Sequence, residues 1–386
     1  MNSVFYVYIV NLCSLLLIIT FSILLSLIPV IFFIIFFNVL YNNTSVITLF
    51  MLFISMISSI ICFNVNNIIL FWVFYELSIL PLLFLMFVDS PYSERFLAIW
   101  YLLGYIMLTS LPMLFCLLYL GFEVSSFNNL VSPPSYFINV VLFILFITKI
   151  PLPPFHSWLP VVHAEANSYV SIMLSGYIMK LGLIGLYRFN INLLEDIGIY
   201  TILVFLFSLF FFFNSFLELD SKRWLAFLSL SHILVGLVGL FSNPWAQNQI
   251  SSFYCLGHGI SAGLLFYLFL CLFSISGSRN WIILSSSNSN SLVIRLVAVT
   301  SLITLASFPP SIQFISEVLI LINSFFSVSL LYLFILYLFI GGLIPVLLLS
   351  YYVCRNNNQT NLNLYYISHF INISLIFFCF CWGVII

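Results

Sequence analysis

Along its length the chain alternates apolar stretches of about 20 residues, each long enough to cross hydrocarbon as a helix, with short polar loops. Such stretches fall at 45–63, 66–88, 94–120, 137–164, 168–189, 193–216, 220–242, 248–275, 292–325, 328–353 and 364–384. Residues 4–40 precede them, uncharged and carrying Pro29, and fit one long tilted helix or two short ones. Lipid supplies no hydrogen-bond partner to a backbone, and the stretches lack the two-residue alternation of barrel strands, so each is expected to be helical. The pattern predicts an all-α, polytopic membrane bundle of about 12 to 13 transmembrane helices. It divides into an N-terminal membrane segment (1–44), a core (45–354) and a C-terminal loop with the last helix (355–386).

Two of the stretches are too long for one span and are interrupted. Pro151, Pro153 and Pro154 break 137–164, and Pro309 and Pro310 break 292–325. Without proline N–H groups, the carbonyls of Ile147, Lys149 and Ile150, and of Leu305 and Ala306, are expected to lose their helical partners. Free carbonyls at membrane depth are tolerated only within protein or along a wet cavity, so both breaks are expected to face the protein interior. A pair of broken helices in two halves of a chain points to a transport site; packing kinks are the plainer alternative.

Composition narrows the choice. The 386 residues are 64% hydrophobic and 5% charged, where a soluble domain carries about 25% charge, so a soluble globular fold is excluded. A net charge of −1 with no basic run offers nothing to nucleic acid, and no Gly-rich phosphate loop is present. The first charged residue is Glu76 and the first basic one Arg95, so neither a secretory signal nor a presequence is expected, and the chain is expected to insert by its own spans. The eight cysteines sit in apolar sequence without a C-x-x-C pair and read as buried thiols.

Loop charges set an orientation. Arg95, Lys222, Arg223, Arg279, Arg295 and Arg355 fall in alternate loops and Arg188 alone in the others, which places the first group on the inside by the positive-inside rule. Four charges lie within spans: Glu76, Lys149, Lys180 and Glu317. Each costs roughly 2.5–3.5 kcal/mol at a helix centre, so they must pair or meet water, and the default reading is an ion or proton pathway. A lysine moved toward or away from its glutamate acts as a proton switch. His232 and His258, also within spans, suit a relay because imidazole both donates and accepts, though either also suits plain packing. His156 and His163 lie beyond the first break, His369 opens the last span, and the histidine spacing fits no bis-haem bundle.

The motifs fall in a fixed order. Phe74-Tyr75-Glu76-Leu77-Ser78 with Leu80-Pro81 comes first, then Lys149-Ile150-Pro151 ahead of His156-Ser157-Trp158-Leu159-Pro160 and His163-Ala164-Glu165-Ala166, then Lys180-Leu181-Gly182 with Gly185. Asp220-Ser221-Lys222-Arg223, Ala226-Phe227, Ser231-His232, Gly257-His258-Gly259 and Ser278-Arg279 follow, and Pro309-Pro310 stands seven residues ahead of Glu317. This ordered set, over about 71–325, resembles the subunit 4 family of mitochondrial NADH:ubiquinone oxidoreductase (complex I), one of the antiporter-like, proton-pumping membrane subunits. The resemblance implies two inverted repeats of five helices, each with a Pro-broken helix. It implies Glu76 and Lys149 as a coupled acid–base pair, Lys180 as the central relay, Glu317 as the exit acid, and His232 and His258 along the same axis.

By the same resemblance the chain would be a core subunit of the mitochondrial inner membrane, its basic loops in the matrix. It would translocate protons while NADH oxidation and ubiquinone reduction proceed in other subunits. The implied partners are the other membrane and peripheral subunits and the lipid bilayer. NADH, FMN, iron–sulfur clusters and ubiquinone are expected there, with no cofactor bound by this chain. A free-standing cation/proton antiporter on the same scaffold is the alternative. Val161 and Asn167 stand where the family usually has Lys and Pro, Leu228 stands at a usual serine, and fewer helices are expected than in the family.

Overall fold

The structure, a computed structural model, describes residues 20–34, 45–123, 135–189, 198–241, 248–287, 292–323, 328–354 and 366–381. Among them run α1 (Thr20–Ile34), α2 (Val46–Asn64), α3 (Ile68–Asp89), α4 (Arg95–Glu123), α5 (Tyr136–Lys149), α6 (Trp158–Glu165) and α7 (Ser168–Phe189). There follow α8 (Gly198–Leu217), α9 (Ser221–Phe241), α10 (Asn248–Ser276), α11 (Trp281–Ser287), α12 (Leu292–Leu305), α13 (Ile312–Asn323), α14 (Val328–Cys354) and α15 (Tyr366–Cys381). An isolated antiparallel bridge joins Asp220 to Asn280. Eight of these helices are long and apolar enough to cross a membrane: α2, α3, α4, α7, α8, α9, α10 and α14. The fold is therefore the expected all-α polytopic membrane bundle. Most of the segment over 4–40 and Arg355 lie outside the described residues.

Local chemistry fixes the helix limits. The Ser45 hydroxyl accepts from the Thr48 N–H at 3.3 Å and opens α2; Asn67 Oδ1 accepts from Ile69 and Leu70 at 3.0 and 3.4 Å and opens α3. The end of α2 is closed from a distance by Arg188, whose guanidinium donates to the carbonyls of Val65 and Phe63. That satisfies acceptors a helix C-terminus leaves over and places the cation where the dipole favours it. The short helix α11, absent from the hydropathy pattern, is capped by Asn280 Oδ1 accepting from the Ile282 N–H at 3.1 Å.

Burial separates an inner layer from an outer one. The most apolar windows of α7, α9 and α10 are 94, 89 and 72% buried, against 33, 39 and 33% for α4, α8 and α14. Outer helices turn large apolar side chains such as Trp100, Leu108 and Phe213 outward, as a lipid-facing surface requires. The inner three carry Lys180, His232 and His258.

Both long stretches contain two half-helices, α5 with α6 and α12 with α13. The inner helices approach each break at a glycine. A Cβ on Gly182 would stand 2.4 Å from Ile150 Cγ1 in the first break, and one on Gly257 2.6 Å from Ile312 Cγ2 beside the second. Only a residue without a side chain admits backbones this closely. Lys180 and His258 are thereby held against the two breaks.

Candidate functional site

Glu76 on α3 and Lys149, the last residue of α5, are 73 positions apart in sequence and meet as an ion pair, Nζ to Oε1 3.0 Å. The lysine also lies over the Tyr75 ring at 5.1 Å. Both side chains are nearly sealed, so this is the partnership that a charge in hydrocarbon demands. A 20 Å³ cavity lies beside it, lined by Tyr75, Thr148, Lys149, Trp158, Leu174 and Ile178 among others, with room for about one water.

Leu174 and Ile178 bound a π-helical turn inside α7, in which the Met179 N–H reaches the Leu174 carbonyl five residues back. The turn leaves the Ser175 carbonyl in reach of Lys180, whose ammonium donates to it, and Ser175 Oγ donates to Ser171 O at 2.9 Å. Lys180 is fully buried, and no carboxylate pairs with it among the described residues. Such turns often mark functional positions. The same turn carries Tyr177, hydrogen bonded at 2.7 Å to Ser55, which donates to Ser78 O at 2.6 Å. A polar thread thus runs from the Lys180 helix to that of Glu76.

Beyond Lys180 the axis continues through the inner helices. The His258 and His232 rings stand 5.5 Å apart. His232 Nδ1 is 2.6 Å from the Tyr337 hydroxyl and 3.4 Å from that of Tyr254. Gln313 Nε2 donates to Glu317 Oε1 at 3.4 Å. A cavity of 140 Å³ opens here, lined by His232, Ala306, Ser307, Glu317, Tyr337 and Gly342 among others. Of the six candidate groups, Glu76 and Lys149 form an ion pair and His232 and His258 stand ring to ring, and all six are buried.

The breaks depart from expectation in two respects. The Ile147 carbonyl accepts from the Leu152 N–H at 3.1 Å, the Thr148 carbonyl from Trp158 Nε1 at 3.2 Å, and the Pro153 carbonyl from the Tyr200 hydroxyl at 2.9 Å. Protein donors thus meet the Ile147, Thr148 and Pro153 carbonyls at this break. The second break is not wholly interior: Phe308, Pro309 and Pro310 are exposed on the chain surface, while Ala306 and Ser307 line the cavity. Ser307 adopts a left-handed conformation (φ 54°), which turns the chain outward after α12 and lets one side of the loop face in while the prolines face out.

Three cations read as loop charges are anchored instead. Lys222 donates to Ala166 O at 2.8 Å and Arg279 to Ala164 O, both at the C-terminal end of α6; Arg279 also pairs with Asp220 at 3.5 Å, and Arg95 donates to Ser90 O at 2.7 Å. His163 stacks on Phe266 at 4.9 Å and His156 lies against Phe211 at 4.8 Å. Among the described residues no three His, Cys, Asp or Glu side chains cluster as a metal site requires.

A sequence profile of the NADH:quinone oxidoreductase/Mrp antiporter transmembrane family matches residues 65–345. The chain belongs to that family. A Caenorhabditis elegans protein named NADH-ubiquinone oxidoreductase chain 4 is 29% identical over 262 residues, covering 67% of this chain and 63% of its own length. The chain thus spans less than two thirds of this relative. Among solved structures, a chain of respiratory complex I from Thermus thermophilus with bound NADH superposes with a TM-score of 0.85 at 19% identity, over 95% of this chain and 81% of its own. One from the Mrp complex of Dietzia sp. DQ12-45-1b gives 0.69 at 18% identity, over 88% of this chain and 65% of its own. These likenesses show that the oxidoreductase/antiporter family shares the fold. The matched region contains Glu76, Lys149, Lys180, His232, His258 and Glu317.

Sequence reading missed the π turn, Tyr254, Tyr337 and Gln313. No residue type encodes the turn, and a phenol inside an apolar span carries no charge to draw notice. The signal for Gln313 was its place four residues before Glu317 on the same helix face.

Proposed function

We propose that this chain is the subunit 4 membrane module of respiratory complex I and translocates protons across the mitochondrial inner membrane. The observation that carries this reading is the buried Lys149–Glu76 pair at 3.0 Å, in a bundle that also buries Lys180, His232, His258 and Glu317. Lys149 and Glu76 form the switch, Lys180 receives the charge change without a carboxylate of its own, and Glu317 beside its cavity discharges the proton. His232 and His258 link the last two. The two broken helices belong to inverted repeats within 45–354, and the basic loops face the matrix. NADH oxidation and ubiquinone reduction, with FMN and the iron–sulfur clusters, belong to partner subunits. Moving one charge against the membrane potential costs about 2.3 kcal/mol per 100 mV, which the making and breaking of one buried ion pair is of the size to supply.

The Mrp likeness supports a second reading, a cation/proton antiporter on the same scaffold. Purification from native membranes decides between them. Co-migration of the chain with a large NADH-oxidising, ubiquinone-reducing assembly is expected; recovery only in a complex without NADH oxidation would favour the antiporter.

A further inference from the structure

The gap between His232 and Glu317 is spanned by two side chains that the charge pattern never indicated. Tyr337 on α14 and Tyr254 on α10 are both buried, and their hydroxyls approach one atom, His232 Nδ1, at 2.6 and 3.4 Å. That nitrogen offers one lone pair or one proton, so only one hydroxyl bonds it fully at a time. The two hydroxyls therefore neighbour each other at Nδ1, and Tyr337 and His232 line the 140 Å³ cavity together with Glu317. Four helices, α9, α10, α13 and α14, thus bring imidazole, two phenols and a carboxyl into one polar series. Ring packing fixes Tyr337, whose centroid lies 5.2 Å from Phe212 and 5.8 Å from Phe334.

We propose that the hydroxyls of Tyr337 and Tyr254 carry the proton between His232 and Glu317. This rests on the reading of His232 and Glu317 as stations of the proton route. In the step, protonated His232 gives its Nδ1 proton to the Tyr337 oxygen, Tyr337 passes its own hydroxyl proton to Tyr254, and Tyr254 passes its own to the Glu317 carboxylate. Each phenol gains one proton and loses one, the imidazolium becomes neutral, the carboxylate becomes a carboxylic acid, and no phenolate forms. The hydroxyls then point the other way and must rotate before the next proton. A direct shift of Tyr254 from Glu317 to Nδ1 is the shorter variant of the same transfer.

The test uses assembled complex in proteoliposomes, with proton uptake measured alongside NADH oxidation. Tyr254→Phe should lower the translocation rate by about 10²-fold, in the range that a positioned proton-transfer group contributes. Tyr337→Phe, which keeps its ring contacts, should lose less because Tyr254 still reaches Nδ1. The double variant should be no worse than Tyr254→Phe, since both act in one series. Wild-type proton yield in the single and double variants would overturn the proposal and assign the transfer to water in the 140 Å³ cavity. Additive losses in the double variant would overturn it in favour of packing. Glu317→Gln, run in parallel, separates the two levels: if it alone pumps normally, the exit role of Glu317 fails. If it stops pumping while the tyrosine variants do not, only the tyrosines are wrong.

Discussion

Replacing Glu76 with Gln keeps the shape of the side chain and removes the counterion of Lys149. The two charges lie 3.0 Å apart with 6 and 10% of their side chains exposed. At an effective dielectric near 20, opposite unit charges at this separation attract by about 5 kcal/mol. Most of that offsets desolvation, so the observable quantity is the penalty for stranding the survivor, about 3–5 kcal/mol for a buried pair. The Tyr75 ring over Lys149 is already in place in the native protein and cannot offset the loss. Glu76→Gln and Lys149→Met should therefore each lower the thermal midpoint of the assembled membrane arm. The double variant should recover much of the loss, because no unpaired charge remains, giving a coupling energy of about 2–3 kcal/mol. The assay is a double-mutant cycle by thermal denaturation of the purified complex. Single variants as stable as the native chain, with coupling under about 0.5 kcal/mol, would refute the argument from the buried pair.

Lys180→Met should leave assembly intact and reduce proton yield per NADH by about 10²-fold, and Lys180→Arg should fail likewise because arginine does not release its proton; normal yield in both would return Lys180 to packing. Gly182→Val should destabilise by about 1–3 kcal/mol through overpacking, since its Cβ would stand 2.4 Å from Ile150 Cγ1, and a lowered thermal midpoint checks this. Arg279→Gln should strip a donor from the Ala164 carbonyl and cost about 1–3 kcal/mol, read as faster amide exchange at the C-terminal end of α6.

What sequence made legible is what hydrocarbon penalises. The long apolar helices and the four buried charges each obey or violate a steep energetic rule and follow the pattern, whereas the second proline break lies partly exposed. Lys222 shows the limit: counted as a loop charge, it is 5% exposed and bound to Ala166 O, because the carbonyls at the end of a half-helix attract cations from other parts of the chain. Pro151 shows another, since the carbonyl at Ile147 found a donor one residue further along. Tyr254 and Tyr337 stayed hidden because a hydroxyl in an apolar run costs little enough to need no compensating neighbour in the sequence.

The π turn at Leu174–Ile178 has a consequence for how this helix can change. Each α-helical residue advances about 100° around the axis. The π turn holds one residue more than an α-helical turn for about the same rotation, so closing it into ordinary α-helix with all its residues kept would swing Lys180 by about 100° relative to Ser168, and deleting any one of the five as it closed would leave the lysine aimed as before. With all residues kept, its ammonium would leave the Ser175 carbonyl. The segment should therefore tolerate the loss of one residue better than a change that forces it into α-helix at full length, so that the width of this one turn, and not the identity of its apolar residues, sets where the lysine points.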